Sequence, residues 1–196
     1  MADIGSAFDR AMERVSKLGK ASEEEVARWK YVPEGEMLAA KYLSNEVNLA
    51  VELDKYDSEA KGYVLQGAQE VLLRNLDLPR NDFIKNASKR AMEGIKALKK
   101  DKTRVESVFT QIRRVFTHYE QDGERQRKEA YAQLRESFQR MVQQAVRQQG
   151  GLPPGSRVDV ESHPQFQEEW RRTVANLESS YLKLLDDHKQ EIDKIP

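Results

Sequence analysis

The sequence predicts an all-α protein, an N-terminal helical bundle followed by a long antiparallel coiled-coil hairpin, and three observations carry that prediction. Apolar residues recur at spacings of three and four almost throughout, the mark of amphipathic helices. One stretch, residues 102–149, contains no proline. Finally, "VRQQGGLPPGSRVDVESHPQF", residues 146–166, gathers three of the six prolines and three of the ten glycines, a hard break between two helical patterns.

Taken in order, Ala7, Phe8, Ala11, Met12, Val15 and Leu18 form the first amphipathic pattern, closed by Gly19 as a C-cap. Ser22 ahead of Glu23, Glu24 and Glu25 reads as an N-cap with acids where the helix dipole favours them. Pro33 is expected to interrupt the helix that follows. Met37, Leu38, Ala40, Leu43, Val47, Ala50, Val51 and Leu53 then read as one broad apolar face. Val64, Leu65, Ala68, Val71, Leu72 and Leu76 make a further helix that Pro79 ends. Its Gly62 and Gly67 lack the Lys-Ser or Lys-Thr of a phosphate loop, so they fit close helix contact or simple weakening of the helix. From Asn81 the pattern runs through Phe83, Ile84, Ala87, Ala91, Ile95 and Leu98 to Asp101, which either caps a new helix or sits on a continuing one.

Within 102–149 the residues Val108, Tyr119, Ala130 and Met141, and likewise Ile112, Gly123, Leu134 and Ala145, lie eleven apart. Such a repeat implies a nearly straight seam. The seam thins at "EQDGERQRKE", as in a helix leaving the shelter of a bundle. The last pattern, Phe166, Trp170, Val174, Leu177, Tyr181, Leu184, His188, Ile192 and Ile195, has Pro164 near its first turn. The expected domains are therefore a bundle over 1–119 and a hairpin over 120–196 with a tip loop at 150–163. Residues 101–149 carry ten bases and seven acids, net +3, against six and nine, net −3, over 150–196, so the two arms are complementary. A turn centred near 156 makes facing positions sum to about 313 and sets Arg125, Arg127 and Lys128 beside Asp186 and Asp187.

Composition limits function. Charged residues are 34% and hydrophobic residues 38%, which implies much wet helix surface. With 33 bases against 33 acids the electrostatic footprint of nucleic-acid or anionic-membrane binding is missing. The basic patch from Arg125 to Arg140 is interleaved with acids and fits a weak nucleic-acid binder only as a distant alternative. The absence of cysteine excludes thiolate chemistry. The three histidines, His118, His163 and His188, lack metal-site spacing, so neither metal nor cofactor is expected. No signal peptide or membrane-length run is seen, and a cytoplasmic protein is expected.

The stretches "SAFDRAMERVSKLGKASEEE", "EGEMLAAKYLSNEVNLAVELDKY" and "GAQEVLLRNLDLP" resemble a family of uncharacterised, all-helical bacterial proteins, most closely over residues 4–80. That resemblance implies a bacterial cytosolic protein and carries no site residues. The reading of function is a non-enzymatic scaffold or adaptor that binds protein partners and forms a homo-oligomer. Its candidate partner-binding residues are Leu152, Pro153, Pro154, Val158 and Val160 at the tip, which serve either to dock a partner or to cap the helix pair. The rival is an enzyme or small-ligand binder with a pocket in the N-terminal bundle near Trp29, Tyr42 and Tyr63.

Overall fold

The computed structural model describes residues 22–148 and 159–196, so the pattern over residues 7–18 and the tip residues Leu152, Pro153, Pro154 and Val158 lie outside the described residues. The chain divides into two compact units, Met1–Val71 and Leu72–Pro196. Every described element is helical.

In the first unit α1 spans Glu23–Leu43, started by a capping box in which Ser22 Oγ accepts from the Glu25 amide and the Glu25 carboxylate accepts from the Ser22 amide. Contrary to expectation, α1 runs through Pro33. Pro33 lies on the exposed side, so the carbonyl that loses its donor can turn to water. The broad face expected to run from Met37 to Leu53 is broken instead. Asn45 takes a left-handed conformation, φ 64°, and Asn48 caps a separate short helix α2, Leu49–Leu53. Short amide side chains tolerate such turns because they bond their own backbone. Helix α3, Ser58–Arg74, starts where Asp57 Oδ1 accepts from the amides of Glu59 and Ala60.

Helices α1 and α3 cross at two glycines. A Cβ on Gly35 would stand 2.1 Å from the Val64 carbonyl oxygen, and one on Gly67 would stand 2.0 Å from that of Val32. The backbones therefore touch, which no other residue permits at either position. Gly62 faces open space and has no such reason.

In the second unit α4 spans Asp82–Leu98 behind its N-cap Asn81, and Asp101 caps α5, Lys102–His118, so the break at 99–101 is real. A π-helical turn, Tyr119–Gly123, then passes without interruption into α6, Glu124–Gln148, making one 47-residue helix. The expected division at 119/120 falls inside this helix. The last helix, α7, Pro164–Asp193, packs antiparallel along α5 and α6.

The core joins Ala91 and Ile95 of α4, Val105, Val108, Phe109 and Ile112 of α5, and Leu185, Ile192 and Ile195 near the end of α7. Lys99 fastens the end of α7, its ammonium donating to the carbonyls of Asp193 and Ile195. Burial pushes the Lys99 ammonium below its ordinary range.

Candidate functional site

The π turn organises the polar centre of the second unit. One extra residue in a helix turns every later side chain out of step, so the seam passes to Tyr131, Leu134, Phe138 and Val142, while Met141 and Ala145 are exposed. At the turn the helix needs no apolar seam, because polar groups fill the space. The Tyr119 hydroxyl donates to Glu178 of α7, and Arg80, ahead of α4, donates to the same carboxylate from Nε at 3.0 Å and Nη2 at 2.9 Å. Glu178 is 7% exposed and Tyr119 is 2% exposed. Arg80 also reaches Asp77 at 2.7 Å, so its charge is met twice. The hydrogen bond to Glu178 raises the Arg80 pKa further. Burial first, then the bond to Glu178, pushes the Tyr119 hydroxyl up to about 12.

Around this pair lies a second chain of contacts. The Arg127 guanidinium sits 4.3 Å from the centre of the Tyr119 ring, and Tyr181 meets Tyr119 edge-on at 5.4 Å. His118 Nδ1 is 2.9 Å from the Tyr181 hydroxyl and Nε2 is 3.2 Å from Asp122. Gly123 leaves room here, since its Cβ would meet Arg127 at 3.1 Å and the Tyr181 oxygen at 3.5 Å. Carboxylate, imidazole and hydroxyl in series can pass a proton, but burial raises the Tyr181 pKa, the wrong direction for a nucleophile. The arrangement holds a neutral phenol in place between two helices.

At the far end of α6 and α7 an aromatic cluster closes the helix pair. Phe138, Val160 and Phe166 are buried together, with Tyr131 and Trp170 packed against them. Phe138 and Phe166 meet edge-on at 5.4 Å, as do Tyr131 and Trp170 at 5.0 Å. Val160, the one described member of the tip set, is therefore turned inward. His163 serves as the N-cap of α7, its Nδ1 accepting from the Gln165 amide at 3.3 Å.

The expected charge register is not what the structure holds. Arg125 pairs with Asp122 at 2.7 Å and Lys128 with Glu124 at 2.6 Å, each within its own helix, while Arg127 covers Tyr119. Asp186 accepts from Gln190 at 2.9 Å, and Asp187 is exposed. Facing pairs such as Tyr131–Phe166 and Phe138–Phe166 sum to about 300 rather than 313. The turn is off-centre: Val160 and His163 fold back beside Phe138, so α6 continues past the start of α7. Trp29 is 68% exposed. A groove of about 680 Å³ lies between α4 and α5, with Met92, Phe109 and Phe116 among its lining. Its rim holds the ion pairs Lys85–Glu120 at 2.7 Å and Lys96–Glu106 at 2.8 Å.

Sequence reasoning missed Glu178 and Arg80. Glu178 left a signal, an acid beside the apolar seam of α7 between Val174 and Tyr181; Arg80 left none, because its partner is 98 residues away. Among the described residues no three acids or histidines converge on a metal site, and no described helix is long and apolar enough to cross a membrane.

A family model matches residues 50–194, and its description is a family of unknown function, DUF6657. The matched span overlaps the stretch of closest resemblance at residues 50–80 and extends beyond it. No curated protein and no solved structure matches.

Proposed function

For a chain that belongs to the DUF6657 family and inherits no activity from it, we propose a non-enzymatic scaffold that acts through helix surfaces, with α6 and α7 as a stiff coiled-coil hairpin. The observation that supports this reading is the double fastening of the helix pair. The aromatic cluster of Phe138, Val160 and Phe166 closes one end, and the Tyr119–Glu178–Arg80 network locks it further down. At about 1.5 Å per residue the 25 residues of α6 give an element roughly 37 Å long. Rigid elements carry interaction surfaces at low entropic cost.

Replacing residues 151–158 by a short Gly/Ser turn, with Val160 kept, tests the tip as the docking element. Capture of a partner by the intact chain and its loss in the replaced chain, at unchanged melting temperature, supports docking. Equal capture by both places docking elsewhere on the scaffold. A second reading, a small-ligand binder, is favoured by the α4/α5 groove with its apolar lining and charged rim. Lys89 lines that groove, so a compound that raises the melting temperature of the intact chain but not of Lys89→Ala supports it.

A further inference from the structure

Helix α1 has two apolar faces. One packs on α3 through Gly35, Leu38 and Ala39, which are buried. The other is bare: Val26 is 52% exposed, Trp29 68% and Met37 60%, with Pro33 and Ala40 exposed between and beyond them. At about 100° per residue these five fall within roughly 40° of one line along the helix, opposite the packed face. Single exposed apolar residues are ordinary, but a stripe about four turns long is a surface that water leaves when it finds a fit.

The stripe is patterned. "EVARWK", residues 25–30, recurs as "EMLAAK", residues 36–41, eleven positions on. Glu25, Val26, Trp29 and Lys30 therefore stand over Glu36, Met37, Ala40 and Lys41, the period at which a helix keeps an almost straight seam. Both lysines fall on one flank of the stripe and both glutamates on the other. This arrangement chooses the partner and its direction. When two copies of such a helix pair in parallel, the flank of one meets the opposite flank of the other, so Glu25 faces Lys30 and Glu36 faces Lys41 reciprocally. When they pair antiparallel, like flanks meet and the charges repel.

We propose that α1 pairs in parallel with α1 of a second copy of the chain, seam to seam along Val26, Trp29, Pro33, Met37 and Ala40. The side chains have the capacity this needs. Glu25 uses one carboxylate oxygen to accept from the Ser22 amide at 2.8 Å, which leaves the other. Lys30 donates to the Tyr31 hydroxyl at 3.1 Å, and an ammonium has three donors. The pairing goes beyond the scaffold reading and does not involve the tip, so failure of the tip test leaves it standing.

The full chain at micromolar concentration should sediment at twice 22.7 kDa. Trp29→Glu with Met37→Glu should return it to one copy at unchanged helix content, because both residues are exposed in the single chain. Lys41→Glu turns two attractions into two repulsions and should weaken association about tenfold, and adding Glu36→Lys should restore it. In this cysteine-free chain Ala40→Cys should oxidise to a disulfide-linked dimer, since a parallel seam sets the residue against its own copy. A single copy at every concentration overturns the proposal, whether residues 1–21 or another protein covers the stripe. A dimer untouched by the Trp29 and Met37 changes, or one that Lys41→Glu strengthens, overturns it too.

Discussion

Glu178 shows how much rests on one buried carboxylate. It accepts from Arg80 and Tyr119 at once, so Glu178→Gln keeps the shape while leaving the guanidinium without its main counter-charge. Removing one partner of a fully buried pair costs roughly 3–5 kcal/mol; the Arg80 side chain remains 34% exposed, so about 2 kcal/mol is expected, read by urea unfolding at pH 7. Tyr119 supplies a pH signature. Its hydroxyl is raised from 10.0 to about 12 in the folded chain, so the fold favours the protonated form. That contribution is complete below pH 10 and is lost as pH rises from 10 to 12. The intact chain should therefore lose stability over that interval more steeply than Tyr119→Phe. Parallel slopes for the two proteins would refute the assignment. Glu178 was partly legible as an acid beside an apolar seam, whereas its Arg80 partner was invisible because local spacing says nothing about a contact between residues 98 positions apart.

The glycines of α3 separate local propensity from packing at the scale of one element. Gly62 has open space around it, so Gly62→Ala should stabilise the helix by about 0.5–1 kcal/mol through propensity alone. At Gly67 the same change forces a methyl against the Val32 carbonyl, and backbone cannot swing aside as a side chain can. Gly67→Ala should cost more than about 2 kcal/mol, because α1 and α3 must separate along their crossing. Thermal unfolding of the two variants should move in opposite directions, and movement in the same direction would sink the account. Asp101 is a comparable case of two local readings. It was equally consistent with a cap and with a continuing helix, and what separates them is that Lys99 and Lys100 turn aside to hold the carbonyls at the end of α7.

Across the second unit the π turn keeps two distant sets of packing in phase. At its start Tyr119 meets Tyr181 of α7, and after it Phe138 meets Phe166 of α7. Deleting Gln121 would take one residue from the turn and rotate everything beyond it by about 100°, so both sets cannot be kept. Amides of 124–148 should then lose hydrogen-exchange protection while those of 82–98 keep theirs. Unchanged protection along α6 would show that the turn does not set the phase.

The sequence alone determined the all-helical class and the helix start at Pro164, because each follows from spacing or proline geometry within a few residues. It could not determine that Pro33 would be absorbed, since that depends on the ring facing water. Nor could it give the pairing register. Complementary net charge between two arms is satisfied by many offsets, and surface ion pairs are too weak to choose among them. The choice fell to tertiary packing: Phe138 against Phe166, Tyr119 against Tyr181, and a carboxylate that had to meet Arg80 once it was buried. Apolar area and buried charge outweigh exposed charge pairs, so the register follows the aromatic residues and Glu178 rather than Arg125, Lys128, Asp186 and Asp187.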